Sequence, residues 1–170
     1  MSGKIRVDDL VPLTHELGRS NPAYLQRVQP LLPDFPSEVL SSWFGEQPDT
    51  VKTYAFLGYD RLLFERVEFE IHKLPGEETF RDGAKSINAL INESAWMKRG
   101  LKHCMETNKN WPVPPILLDT NASVLPQKVP LILKQPYHLL EGYHRVALAH
   151  SYVSTRVITT SLAFWVARIT

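Results

Sequence analysis

The chain has 170 residues, of which 19 are basic and 18 acidic, and its formal net charge is +1. The hydrophobic fraction of 44% and the charged fraction of 22% are those of an ordinary globular protein. This composition excludes a disordered tail, a coiled-coil rod and a collagen-like repeat. Because binding to long nucleic acid usually needs a basic excess, the balanced charge leads us to expect no nucleic-acid partner.

The sequence contains one cysteine, Cys104, which allows neither an internal disulfide nor a zinc site built from several thiolates. The first ten residues lack the apolar core of a signal peptide. No apolar run approaches the ~18 residues of a membrane helix. We therefore expect a cytoplasmic protein that does not enter a membrane.

Residues 1–60 are interrupted by prolines, which are unfavourable inside helices and central strands. This pattern predicts a helical N-terminal extension made of short elements. One predicted helix begins at Pro36 and ends at Gly45. Its apolar side carries Val39, Leu40, Trp43 and Phe44. We expect the aromatic residues to pack the extension onto the rest of the chain, and the extension is also the candidate surface for a protein partner.

Residues 61–170 carry a different pattern, which predicts the main domain. Alternating apolar and polar residues in 62–74 indicate a half-buried strand that ends at Pro75 and Gly76. Apolar residues with helical spacing then predict one long helix over 83–106, with Asp82 as its N-cap.

Short apolar runs predict strands in the last third of the chain. The runs are Ile116–Leu118, Leu131–Leu133 and Tyr137–Leu140. A helix is predicted from Tyr143 to Tyr152, and a β-branched and aromatic strand over 159–169. Because strands and helices interleave, the expected fold class is α+β, or mixed α/β.

The segment from Glu141 to Arg145 joins a predicted strand to a predicted helix. Gly142 permits a tight turn and a close approach of the backbone to a ligand. The start of the helix presents unpaired N–H groups and the positive end of the helix dipole, which together attract anions. Arg145 offers a planar fork for phosphate oxygens, and His144 adds a second donor. The pattern indicates a phosphate site at this turn.

The residues Gly142-Tyr143-His144-Arg145 form a G-x-H-R motif that resembles the signature of the ParB/sulfiredoxin-like superfamily. The run Trp111–Asp119 is similar to the proline-led strand that precedes the motif in that family. A further strand, the motif, a helix and a final strand then follow in the family's order. The resemblance covers about residues 62–170 and implies a ParB/sulfiredoxin-like domain whose motif binds nucleotide phosphates.

Three departures from the family pattern bear on which of the family's activities this chain is expected to have. Sulfiredoxins carry their catalytic cysteine where this chain has Tyr143, which disfavours a sulfinic-acid reductase. ParB partition proteins have G-E-R-R and continue into a helix-turn-helix domain, for which the residues after Arg145 are too few. Free-serine kinases of the superfamily carry an aspartate where this chain has Glu141.

The resemblance implies binding of a nucleoside di- or triphosphate, or of another phosphorylated small molecule. A phosphotransferase or nucleotide hydrolase would use Mg²⁺ as cofactor. The expected nucleotide-binding residues are Gly142, Tyr143, His144 and Arg145, and the expected catalytic residues are Glu141 and His144. Further candidates for a general base are Glu68, Glu70, Glu77 and Glu78.

Two alternative functions stay open on the sequence. The first is a non-catalytic protein-interaction module that keeps the same fold. The second is a nuclease-like or DNA-modification-associated protein of the superfamily, which the balanced charge disfavours.

Overall fold

The computed structural model describes residues 5–16, 21–93 and 95–170, with residues 95–99 as backbone only. In this part of the chain the α-helices are α1 (Val7–Leu10), α2 (Pro22–Val28), α3 (Ser37–Val39), α4 (Pro48–Thr53), α5 (Ile87–Asn92), α6 (Ala95–Asn108) and α7 (Tyr143–Ser154). The strands are β1 (Leu62–Phe69), β2 (Ile116–Asp119), β3 (Tyr137–Glu141) and β4 (Leu162–Ile169). The fold class is α+β, as predicted.

The four strands form one sheet in the order β1-β4-β2-β3. β2 and β3 are antiparallel, with Leu117 opposite Leu139 and Leu118 opposite His138. Both strands are buried along most of their length, as expected for short continuous apolar runs. The predictions of β2, β3, α7 and the closing strand are confirmed.

The strand predicted at Leu131–Leu133 does not form, and that prediction was wrong. The run lies between Pro130 and Pro136, each of which lacks the backbone N–H that a strand ladder uses. Ile132 is 68% exposed, so the run also lacks the burial that stabilises an apolar strand.

The single helix predicted over 83–106 is divided into α5 and α6. α5 begins after Ser86, whose Oγ accepts a hydrogen bond from the N–H of Ala89 at 3.2 Å, and not after Asp82. α5 ends at Asn92, and the backbone of the next residue, Glu93, is extended with φ −63° and ψ 154°. Glu93 therefore lies at the α5–α6 junction rather than within a continuous helix.

The chain divides into two compact units. The first contains the described residues up to Phe64, together with residues 122–130 and 167–170. The predicted helix over 36–45 is present as α3 followed by a π-helical turn, Leu40–Phe44. All four side chains predicted on its apolar side are completely buried.

Aromatic rings fill the interior of this first unit, and most of them meet edge to face. The buried rings are Tyr24, Phe35, Trp43, Phe44, Tyr54 and Tyr59. The Trp43 and Tyr59 centroids lie 5.7 Å apart, a geometry that aromatic pairs favour. Because these rings form the core of their own unit, a protein partner at this surface would meet other side chains.

The second unit contains residues 65–121 and 131–166, and with them the G-x-H-R motif. Its core is built around β2, β3, β4 and α7 and includes Leu117, Leu139, Val146 and Phe164. The indole Nε1 of Trp111 donates to the carbonyl oxygen of Ala163 at 2.7 Å. α5 packs against α7. This packing brings the α5–α6 junction to the N-terminal turn of α7.

Candidate functional site

The segment Glu141–Arg145, here called the Gly142 turn, connects β3 to α7. Gly142 has a φ of +108°, in the left-handed region that favours glycine. A Cβ atom added to it would lie 2.7 Å from Cβ of Pro115. Backbone conformation and packing against Pro115 therefore both require glycine here, independently of any ligand.

Arg145 and Glu141 form an ion pair across the first turn of α7, and only 11% and 14% of their side-chain areas are exposed. Arg145 Nη1 also donates to the carbonyl oxygens of Val113, at 2.6 Å, and Pro114, at 3.2 Å. These contacts tie the proline-rich segment before β2 to the start of α7. Arg145 lies where the sequence predicts, but these contacts aim its guanidinium group at carbonyl oxygens and a carboxylate.

Glu141 is one of the two expected catalytic residues. Its carboxylate is paired with Arg145 and nearly buried, so the structure gives it the environment of a structural counter-ion. A buried charge that is paired in this way is costly to uncover, because its partner would be left without compensation. A catalytic role for Glu141 stays a prediction.

His144 has a different environment from its neighbour Arg145. His144 Nε2 donates to Glu93 Oε2 at 2.6 Å, and Lys85 Nζ pairs with the other carboxylate oxygen, Oε1. We call these three residues the Lys85–Glu93–His144 cluster. The side chains of Lys85 and His144 are 66% and 41% exposed, whereas that of Glu93 is 19% exposed.

The Glu93 carboxylate is strongly favoured in its charged form. Hydrogen bonds from Lys85 and from His144 lower its pKa from 4.5 to about 2. Each of its two oxygens thus contacts a separate nitrogen donor that carries, or can carry, positive charge. Phosphate groups bind in proteins to donors of this kind, so the cluster has the chemistry of an anion site.

Tyr143, an expected nucleotide-binding residue, packs within the second unit. Its hydroxyl donates to the carbonyl oxygen of Leu139 at 3.2 Å and accepts from the N–H of Arg81 at 3.5 Å. Its ring meets that of Phe80 edge to face, with centroids 4.8 Å apart. These contacts hold the segment before α5 against the Gly142 turn.

The four acids considered as general bases lie elsewhere. Glu70 pairs with His72 and Lys73, and Glu68 is exposed on β1. Glu77 Oε1 accepts from the N–H of Ile87 at 2.6 Å, and Glu78 Oε1 accepts from the N–H of Gly76 at 2.7 Å. Among the described residues, none of these four carboxylates forms a hydrogen bond or ion pair with the Gly142 turn.

Sequence reasoning missed Lys85 and Glu93 because both fall inside the helix predicted over 83–106. Within a continuous helix, a glutamate at position 93 is not expected to contact the Gly142 turn. The serine that follows Glu93 in the sequence is a residue type common at helix starts, and it is the signal that could have indicated a break.

Metal sites and membrane segments were sought in the parts of the chain that the structure describes. There, no three His, Cys, Asp or Glu side chains come together in a way that could hold a metal ion. No helix among the described residues has the length and apolar character needed to cross a membrane.

Comparison with known proteins leaves the family open. No protein-family model, curated protein or solved structure matches this chain. The resemblance to the ParB/sulfiredoxin-like superfamily therefore depends on the motif and on the order of elements around it, and it stays a prediction.

Proposed function

We propose that this chain binds the phosphate groups of a nucleoside di- or triphosphate, or of another phosphorylated small molecule, beside the Gly142 turn. The observation that supports this most directly is the convergence of Lys85 and His144 on a single carboxylate at the first turn of α7. The ligand phosphate would accept hydrogen bonds from these two donors, whose side chains are exposed enough to reach it.

The start of α7 adds to the attraction for an anion. Gly142 at the N-cap has no side chain with which to cap the helix. The N-terminal N–H groups of a helix and its dipole both favour negative charge at this end. In this proposal Arg145 shapes the site by holding the segment Val113–Pro114 in place, while Lys85 and His144 contact the ligand.

The same site could support phosphoryl transfer or nucleotide hydrolysis. Such reactions depend mainly on positioning and on neutralising phosphate charge, and histidine is the most common proton-transfer group. The cofactor expected for such a reaction is Mg²⁺, which is usually held by one or two carboxylates together with substrate phosphates. The single cysteine favours the cytoplasm as the place of action.

Calorimetric titration of ATP and ADP, with and without Mg²⁺, tests the proposal on the full chain and on two variants, Lys85→Ala and His144→Ala. A charge-assisted hydrogen bond contributes about 1.5–3 kcal/mol, so each variant is expected to bind at least about tenfold more weakly than the wild type.

The matched control is Lys73→Ala, which removes a lysine that pairs with Glu70 on the surface. It should bind with wild-type affinity. Absence of binding to the wild type, or equal affinity in all the variants, would contradict the proposed function.

A further inference from the structure

Glu93 is the acidic member of the Lys85–Glu93–His144 cluster, and it occupies both donors that the proposed function assigns to ligand phosphate. We propose that Glu93 is an internal competitor: its carboxylate fills the anion site in the ligand-free chain and is displaced when phosphate binds. This inference rests on the proposed function and adds an autoinhibitory contact to it.

The position of Glu93 suits displacement. It lies at the α5–α6 junction, outside α5, where the backbone is extended. Lys85 and His144 are 66% and 41% exposed. Water therefore reaches both donors, and a ligand with more than one negative charge can compete with Glu93 for them.

The rest of the segment is held in place by separate contacts. Asp82 Oδ1 lies 2.5 Å from Lys134 Nζ, and the N–H of Ile87 is bound by Glu77. α5 itself packs against α7. Release of Glu93 would therefore loosen the α5–α6 junction while the start of α5 stays attached.

The first test is calorimetric titration of ADP and of inorganic pyrophosphate into the full chain and Glu93→Gln. If the competent state is about a tenth of the wild-type population, removing the competitor tightens binding roughly tenfold. The matched control is Glu106→Gln, which also removes one negative charge and can still accept the hydrogen bond from Tyr152. It should bind like the wild type.

The second test is hydrogen exchange at the α5–α6 junction. Addition of ADP to the wild type should speed exchange at the end of α5, and Glu93→Gln should show this faster exchange without ligand. Glu93→Asp, whose shorter side chain cannot span both donors, should also bind ADP more tightly. It replaces Glu93→Gln if circular dichroism shows that the latter does not fold.

The outcomes separate the inference from the proposed function. If neither ADP nor pyrophosphate binds to any form of the chain, the proposed function itself fails. If the wild type binds, His144→Ala weakens binding, and neither Glu93 variant binds more tightly, then Glu93 is not a competitor and the inference is overturned. Unchanged exchange on ADP binding would overturn it as well.

Discussion

At the scale of single residues, the G-x-H-R motif divides into two roles. Gly142 and Arg145 face inward, toward Pro115 and the carbonyl oxygens before β2, and they hold the turn together. His144 keeps 41% of its side chain exposed and contacts a charged partner. Residue type alone does not separate these roles, because arginine and histidine are both familiar phosphate ligands.

Gly142→Ala is expected to destabilise the fold, since it combines two separate costs. A non-glycine residue in the left-handed region costs about 1–2 kcal/mol, and crowding against Pro115 adds about 1–3 kcal/mol. Gly83→Ala is the matched control: Gly83 has a φ of +76° but nothing lies within 4 Å of an added Cβ. Urea unfolding should show the larger loss for Gly142→Ala, and equal losses would show that Pro115 imposes no constraint.

At the scale of elements, the division between α5 and α6 determines the site. In a single helix over 83–106, Glu93 would lie along the helix surface. The α5–α6 junction instead places its carboxylate against His144 at the start of α7. The capping contact at Ser86 sets where α5 begins. Asp82, the N-cap predicted from the sequence, instead pairs with Lys134.

Ser86→Ala is expected to fray α5, because loss of an N-cap side chain costs about 1 kcal/mol. Asp82→Ala removes a partly exposed ion pair worth about 0–1 kcal/mol and leaves the cap intact. Hydrogen exchange over residues 87–92 should rise in the first variant and stay at the wild-type rate in the second. The opposite result would restore Asp82 as the cap.

At the scale of the whole molecule, each compact unit holds a buried titratable group of its own. In the first unit, the Glu16 carboxylate accepts from Arg27 Nε at 2.8 Å and Nη2 at 2.6 Å, and this hydrogen bonding lowers its pKa from 4.5 to about 2. In the second unit, burial lowers the pKa of His138 from 6.5 to about 4. His138 is completely buried.

Protonation of these two groups is expected to lower the stability of the fold in different pH ranges. The unfolded chain binds a proton on His138 below about pH 6.5 while the folded chain does not, so stability falls as the pH drops from 6.5 to about 4. The shift corresponds to roughly 3 kcal/mol. The stabilisation from Glu16 is present above pH 4.5 and is lost only as the pH falls toward 2. The second unit should therefore weaken first on acidification.

Urea unfolding at several pH values between 7 and 4 measures this dependence. His138→Asn removes the titrating group while an amide oxygen can still accept the N–H of Lys134, which Nδ1 of His138 accepts at 3.1 Å. The variant should be less stable at pH 7, with a flatter dependence on pH. The exposed His72→Asn variant should keep the wild-type slope. An unchanged slope in His138→Asn would assign the effect to another group.

The sequence by itself determined the elements that depend on local patterns. Apolar runs and helical spacing predicted β2, β3, α7 and the closing strand. Pro36 and Gly45 marked the bounds of the segment that forms α3 and the π-helical turn after it. The glycine turn before His144 was also readable, because a left-handed residue has few substitutes. These features depend on residues close together along the chain.

Only the tertiary structure decided what surrounds the motif. His144 and Glu93 are 51 positions apart, and Arg145 and Val113 are 32 positions apart. Such contacts depend on how α5 packs against α7 and on how the proline-rich segment runs into β2. Periodicity and turn chemistry report local conformation, whereas pairing of distant charges follows from packing. That is why the sequence located the turn but not the partner of His144.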